Sequence, residues 1–351
     1  MSRSTPSRSR VLMTSKALEP EPFLLPLSWV YRAGVALRNG LFDRGLRRVR
    51  RLPVPVVSIG NLTVGGSGKT PFVALLVEGM QALGLEVGVL ARGYGRAAGA
   101  ELNDEGELLR RRFPGLAQVQ DPNRYEAGLR LLEKKAVDVV LLDDGFQHRM
   151  LHRDLDVCLV DAQQPFGGAL LPAGWAREPA SALGRADVCV LTGCEAVEPD
   201  AWRARMAELR RRFPKLRCYA LRSEVTGLVD VVSDHVWTRE EARGKKARLL
   251  AGIARPERFL RSARDYGLDV IAHCWLRDHR AIARELLEAE AQAATESDAI
   301  LVLTEKDEAR LGFTAGAGPR RFVLRIGHVW LEDPGIAAFL PAGLVAAQRM
   351  S

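Results

Sequence analysis

A short β-branched run ending in glycine, "VPVVSIG" (54–60), leads into "NLTVGGSGKTP" (61–71) and then into the apolar "FVALLVEGMQAL" (72–83). Strand, glycine-rich loop and helix in direct succession leave few fold options, because such a unit packs as part of a parallel α/β sheet. The strict phosphate-binding pattern asks for glycine, four residues of any type, then Gly-Lys-Ser/Thr. Gly68, Lys69 and Thr70 satisfy its end, and Thr63 stands where its first glycine belongs. The exchange costs little if Thr63 has an ordinary negative φ. Gly65, Gly66 and Gly68 let backbone N–H groups converge on phosphate oxygens at a helix N-terminus. Lys69 would reach the β- and γ-phosphates, and Thr70 would ligate Mg2+. A plain glycine-rich turn accounts for the glycines but not for Lys-Thr. The expected ATP-binding set is Thr63, Val64, Gly65, Gly66, Ser67, Gly68, Lys69 and Thr70.

The same alternation continues along the chain. "EVGVLAR", "VDVVLLDD", "LDVCLVD" and "ADVCVLT" read as buried strands. "RYEAGLRLLEKK" and "PDAWRARMAELRRRF" read as helices. Beyond about residue 220 the pattern restarts: "RLLAGIARPERFLRSARDYG" reads strand, turn, helix. "LDVIAHCWL", "AILVLTEKD" and "RRFVLRIGHVW" read as strands around the helix "RAIARELLEAEAQAA". The expected organisation is a variable tail (1–20), an α/β domain with a parallel sheet (21–220) and a smaller α/β domain (221–351). A linker is expected over 220–247, which holds the charged "TREEARGKKAR".

The 351 residues are 47% apolar and 27% charged, as expected of a globular protein and not of a disordered one. The net charge of +8 suits an anionic partner, whether nucleic acid, membrane surface or phosphorylated substrate; an Arg-rich coding background would give the same excess. Five irregularly spaced cysteines without a CxxC pair suggest neither a disulfide framework nor a zinc site, and a reducing cytoplasm is the expected compartment. No apolar stretch approaches the roughly 18 residues of a membrane span. "PFLLPLSWVYRAGVALRNGLF" (22–42) instead repeats Leu27, Val30, Tyr31, Gly34, Leu37 and Leu41 at helical spacing, with Arg44, Arg47, Arg48, Arg50 and Arg51 behind it. Such a helix either lies in a membrane interface or packs on its own core.

Three further features carry chemistry. "VVLLDDGFQH" (139–148) is a strand ending in two carboxylates, which an open parallel sheet sets beside the phosphate loop. Asp143 and Asp144 are therefore expected at a Mg2+ ion, with Gln147 and His148 close by; capping of the next turn is the simpler alternative. "RGYGR" (92–96) either clamps an anionic or sugar substrate through Arg92 and Tyr94 or is a plain turn. Asp104 and Glu105 in "ELNDEGELL", and Asp278 and His279 in "LRDHRAI", serve either as helix caps or as site residues.

Taken together, "SIGNLTVGGSGKTP", "ARGYGR", "LLDDGFQHRMLHRDLDVCLVDA", "LLPAGWAREP", "GIARPERF", "LRDH" and "LTEKD" resemble the tetraacyldisaccharide 4'-kinase family, in the family's order, over about residues 25–310. In that family the loop also begins with Thr, so Thr63 conforms. The resemblance implies a phosphate-loop NTPase domain with a second, smaller α/β domain and a β linker between them. It also implies transfer of the ATP γ-phosphate to the 4'-hydroxyl of a tetraacylated disaccharide 1-phosphate, with Mg2+, at the cytoplasmic face of the inner membrane. Carried over to this chain, Lys69, Asp144 and His148 belong to the catalytic set, with Asp104 as base and His279 as its partner. Thr70, Asp143, Asp144 and Glu105 belong to the metal, and Arg92, Tyr94, Arg124, Gln147 and Arg177 to the substrate. The expected partners are the lipid substrate and the membrane surface, with no nucleic acid, and the expected state is a monomer. Three departures stand out: "NDEG" for Gly-Asp-Glu-Pro, Arg280 after "DH", and "GWAREP" for Gly-Pro-Leu-Arg-Glu-Pro. A different phosphate-loop kinase or ligase would need no "DDGFQH". A partitioning-type ATPase would carry Lys where Val64 stands, and Glu305 spoils the spacing of a guanine-specificity motif in "TEKD".

Overall fold

The computed structural model describes residues 21–65, 68–96, 99–253, 256–277, 282–311 and 318–348. Its strands are β1 (Val56–Asn61), β2 (Val87–Ala91), β3 (Ala117–Gln120), β4 (Val139–Asp143), β5 (Leu155–Asp161), β6 (Val188–Thr192), β7 (Arg217–Asp230), β8 (Val236–Trp237), β9 (Lys246–Ala251), β10 (Asp269–Trp275), β11 (Ile300–Thr304) and β12 (Phe322–Trp330). The helices are α1 (Leu25–Asp43), α2 (Lys69–Ala82), α3 (Asp104–Arg112), α4 (Arg124–Lys134), α5 (Pro199–Arg212), α6 (Arg239–Ala242), α7 (Pro256–Asp265), α8 (Arg284–Glu296), α9 (Glu305–Arg310) and α10 (Ala342–Gln348).

One sheet runs in the order β3-β2-β4-β1-β5-β6-β7-β12-β11-β9-β10, with β8 on β7. From β3 to β7 every neighbouring pair is parallel. From β12 to β10 the strands are parallel again. The two stretches meet in the antiparallel pair β7–β12. β7 pairs with β6 through Ala220 and with β12 from Leu221 onward, so one strand serves both halves.

Parallel strands covered on both faces must be apolar throughout, and β1 and β6 are buried at every position. α2 covers one face with Phe72, Val73, Leu76, Val77 and Met80, packed against Val57, Ile59, Leu141 and Val157. α5 covers the other with Met206 and Leu209, against Cys158, Cys189 and Leu191. Complete burial of each such side chain stabilises the fold by about 1.5–3 kcal/mol. The cysteines are free, and Cys158, Cys189 and Cys218 act as small core residues on adjacent strands.

The structure differs from the sequence reading in three places. "AILVLTEKD" is not strand to its end: β11 stops at Thr304, whose hydroxyl accepts the Asp307 N–H and caps α9. Glu305, Asp307 and Glu308 in the first turn of α9 favour helix there electrostatically. β3 was not expected, because "AQVQ" is short and half polar; its pairing with β2 overrides weak propensity. Residues 220–247, expected as a linker, hold the second half of β7, then β8 and α6.

Candidate active site

The C-terminal ends of β1 and β4 lie side by side, with Ile59 paired to Asp143. This is the edge where an open α/β sheet binds its ligand. β1 leads through Asn61 into the phosphate loop, and α2 begins at Lys69. Gly68 holds φ +75°, a left-handed conformation natural to glycine, and caps α2. Thr63 is absent from the positive-φ residues among those described, so a side chain is tolerated there. The loop is tied instead to the 167–177 segment, through a Thr63–Ala176 bridge and the Val64 N–H donating to the Trp175 carbonyl at 2.8 Å.

Lys69 donates to Asn61 Oδ1 at 3.2 Å and lies 3.5 Å from Asp144 Oδ1. Arg177 grips both Asp144 oxygens at 2.9 and 2.8 Å and reaches Gln147 Oε1 at 3.4 Å. The Gln147 amide donates in turn to the Asn61 carbonyl at 2.9 Å. Lys69, Asp144, Gln147 and Arg177 therefore form one polar cluster. Asp144 has φ +51°, an uncommon value for a residue with a side chain and one that clusters at functional sites. Gly60 makes this packing possible: a Cβ there would stand 2.6 Å from the Phe146 backbone N.

The two acids differ in electrostatic state. Burial would raise Asp144, but Lys69 and Arg177 outweigh it and hold the carboxyl below its ordinary range. At Asp143 burial dominates and pushes the carboxyl up to about 6; Lys69 opposes this, while Asp144 and Glu105 add to it. Asp143 Oδ1 is buried without a hydrogen-bond partner. A buried carboxylate oxygen with no donor beside it fits a metal ligand. Among the described residues there is no cluster of three or more His, Cys, Asp or Glu suited to a metal.

The raised carboxyl has a consequence for stability. Asp143 in its protonated form favours the folded state, fully so below about pH 4, and that contribution is lost as pH rises through its folded value. Asp143→Asn should raise the thermal midpoint of the metal-free protein by about 2–5 °C at pH 8 and hardly at all near pH 4. Calorimetry at both pH values checks this; an equal shift at both would contradict the assignment.

Burial lowers His148 to about 4, reinforced by Arg124, Arg153, Arg38 and Arg92, so its ring is neutral at pH 7. Arg124 is buried, with its Nε unpartnered. Burial and the neighbouring Arg92 push its guanidinium down, while Asp144 and Asp143 act in the opposite sense. Arg92, Arg124 and His148 thus share the acids' surroundings. Tyr94 does not: it is 84% exposed, and its carbonyl accepts from Asn103.

Asp104 opens α3, with the Asn103 side chain as cap. Its carboxylate accepts from Arg310 Nε at 2.6 Å, and Glu105 lies 3.5 Å from Lys306. Both partners lie on α9. Thr70 is the second residue of α2 and half-buried. His279 and Asp278, with Gly66 and Ser67, lie outside the described residues.

The sequence reading missed Asn61, Arg310 and the inner face of α1. On that face Tyr31 donates to the Arg177 carbonyl at 3.0 Å, Arg38 donates to the Gln147 carbonyl, and Asn39 donates to Glu178 at 2.8 Å. Asn61, two residues before Thr63, lies in the quoted loop, and its amide at the end of a buried strand was the available signal. Arg310 has no local signal.

The chain as a whole is similar to known proteins. The family described as tetraacyldisaccharide-1-P 4'-kinase matches residues 20–342. A tetraacyldisaccharide 4'-kinase of Anaeromyxobacter dehalogenans is 41% identical over 88% of this chain and 86% of its own. That of Geobacter sulfurreducens is 38% identical over 80% and 82%. Among solved structures, LpxK from Aquifex aeolicus in complex with ATP superposes with a TM-score of 0.72 at 29% identity, covering 88% of this chain and 94% of that one. With a family match spanning nearly the whole chain and relatives this similar, the chain belongs to the tetraacyldisaccharide-1-P 4'-kinase family and is a kinase.

Proposed function

We propose that the chain transfers the γ-phosphate of ATP to the 4'-hydroxyl of a tetraacyldisaccharide 1-phosphate, a step of lipid A biosynthesis, at the cytoplasmic face of the inner membrane. The observation that carries the reading is the Lys69–Asp144–Arg177 cluster beside Asp143, whose Oδ1 is buried without a hydrogen-bond partner, at the mouth of a strand–loop–helix nucleotide fold. Phosphoryl transfer is mostly positioning and charge neutralisation, which this cluster supplies.

In this reading the amides of residues 63–70 cradle the β- and γ-phosphates. Lys69 leaves Asp144 for the phosphate oxygens. Asp143 and Thr70 hold Mg2+, with Glu105 and Asp144 close by; the ion when bound neutralises charge on the phosphates. A bond forms between the sugar oxygen and the γ-phosphorus, and the bond from that phosphorus to the β–γ bridging oxygen breaks. Asp104, with His279 as its partner, takes the hydroxyl proton, and ADP leaves. Arg92, Arg124, Gln147 and Arg177, with the neutral His148, bind anionic and polar groups of the lipid head, and Tyr94 covers it from the exposed loop. Transfer of γ-phosphate label from ATP into the lipid in detergent micelles tests the reading. Label appearing as free phosphate regardless of lipid would overturn it.

The membrane part rests on α1. Ser28, Tyr31, Arg38 and Asn39 on it face inward, while Phe23 before it and Leu27, Trp29, Val30 and Leu37 on it face outward, with Trp29 69% and Val30 70% exposed. Arg32, Arg44, Arg47 and Arg48 are exposed on or just after the helix. No described helix is long and apolar enough to cross a membrane. An outward apolar stripe with basic residues suits a helix lying in the headgroup layer. Replacing Trp29 and Val30 together by Glu should weaken partition onto anionic phospholipid vesicles by about tenfold or more, since each apolar side chain contributes roughly 1–3 kcal/mol. The ATP KM should not move. Unchanged partition would sink this part of the reading.

A further inference from the structure

His328 lies on β12 and is buried, yet it touches the far half of the sheet. Its Nε2 is 3.0 Å from the Gly68 carbonyl oxygen. A carbonyl only accepts, so Nε2 carries the hydrogen and donates. The same carbonyl receives the Phe72 N–H at 3.1 Å, which fills both of its acceptor positions. The approach is close: a Cβ on Gly68 would stand 2.8 Å from His328 Nε2. His328 is itself placed by the β7–β12 pair, where it lies opposite Ser223, whose Oγ is 3.4 Å from Nδ1. Burial pushes the imidazole below its ordinary range, so it contributes a neutral N–H at pH 7.

The Gly68–Lys69 peptide is planar and trans, so its N–H points opposite to its carbonyl. Fixing the carbonyl against β12 aims the Lys69 N–H out of the α2 N-terminus, toward the position of a bound phosphate. We propose that His328 is a positioning residue for ATP: it locks the peptide plane before Lys69 and braces the phosphate loop against the strand pair that joins the two halves of the sheet. The inference rests on the reading of residues 61–70 as the nucleotide loop. Without the brace the peptide can rotate and a phosphate-directed N–H is lost, while the lipid-binding groups on the 91–96, 124 and 145–148 segments are untouched.

The test compares His328→Phe, which keeps a flat ring without a donor, with His328→Gln, whose amide nitrogen can restore the donor. A cavity of about 360 Å3, lined by Pro71, Leu75, Glu78, Arg112 and Arg325, adjoins His328 and gives the larger ring room. Steady-state kinetics of the purified full chain with ATP and the tetraacyldisaccharide 1-phosphate should show the ATP KM raised about five- to tenfold in His328→Phe, the size of one lost hydrogen bond. The lipid KM should stay within about twofold, and His328→Gln should recover most of the ATP effect. An unmoved ATP KM in His328→Phe, equal rises in both KM values, or equal impairment of the two variants would overturn the proposal. If Phe prevents folding, the Gln variant decides: an ATP KM near wild type supports the donor role, and a rise beyond about tenfold refutes it. Lys69→Ala separates the two readings. Intact ATP affinity in Lys69→Ala would remove the nucleotide-loop assignment itself, whereas a responsive Lys69 with an unmoved His328→Phe removes only this inference.

Discussion

Lys69→Ala should lower kcat/KM for ATP by about three orders of magnitude or more, the upper range for losing one preorganised charge at a transferring group. The side chain is held at the cluster's centre by Asn61 and Asp144, mostly shielded from water, so its charge acts in a poorly screened environment. It also opposes the burial that raises Asp143 and helps to hold Asp144 below its ordinary range. Removing it therefore harms both phosphate binding and the ionisation of the acid expected at the metal, and the two losses compound. Lys69→Arg should rescue little, because a planar guanidinium does not place its charge where a compact ammonium does. Steady-state kinetics with varied ATP checks this; a loss smaller than about tenfold would show that Lys69 does not meet the phosphates.

Asp104→Ala should lower kcat by about two orders of magnitude or more with the ATP KM little changed, as expected for a lost general base. Geometry supplies the alternative that gives the test its value. Arg310 donates to this carboxylate at 2.6 Å, which occupies an oxygen that a base would need free. If Asp104 accepts the proton, Arg310 must give it up when the acceptor arrives. If Asp104 is a latch between α3 and α9, its loss lowers stability and leaves turnover close to normal. Asp104→Asn, which keeps shape without basicity, distinguishes the two: a low kcat at an unchanged thermal midpoint supports the base, and near-normal kcat with a lowered midpoint supports the latch.

Features written in contiguous residues are legible in the sequence itself. The buried parallel strands show as uninterrupted apolar runs, and the β1–loop–α2 unit and the Asp143–Asp144 strand end follow from their own residues. What is not legible is set by distance along the chain. Arg310 meets Asp104 across 206 residues, and His328 meets Gly68 across 260. Local propensity carries no information about such pairs. α1 is an intermediate case. Its apolar stripe is readable, and Leu27, Val30, Gly34 and Leu37 from that stripe are exposed, while Tyr31 and Leu41 are half-buried. Its orientation is fixed by Ser28, Tyr31, Arg38 and Asn39 bonding to segments more than 100 residues away.

The central claim is that this cluster moves a phosphoryl group onto one sugar hydroxyl. The most direct measurement incubates the purified chain with ATP, Mg2+ and tetraacyldisaccharide 1-phosphate in detergent, and follows ADP release together with the position of the new phosphate by phosphorus NMR. One phosphate on the 4'-oxygen for each ADP released, with both signals lost in Lys69→Ala, is the predicted result. ADP released at the same rate without lipid, or a phosphate on another oxygen, would contradict it.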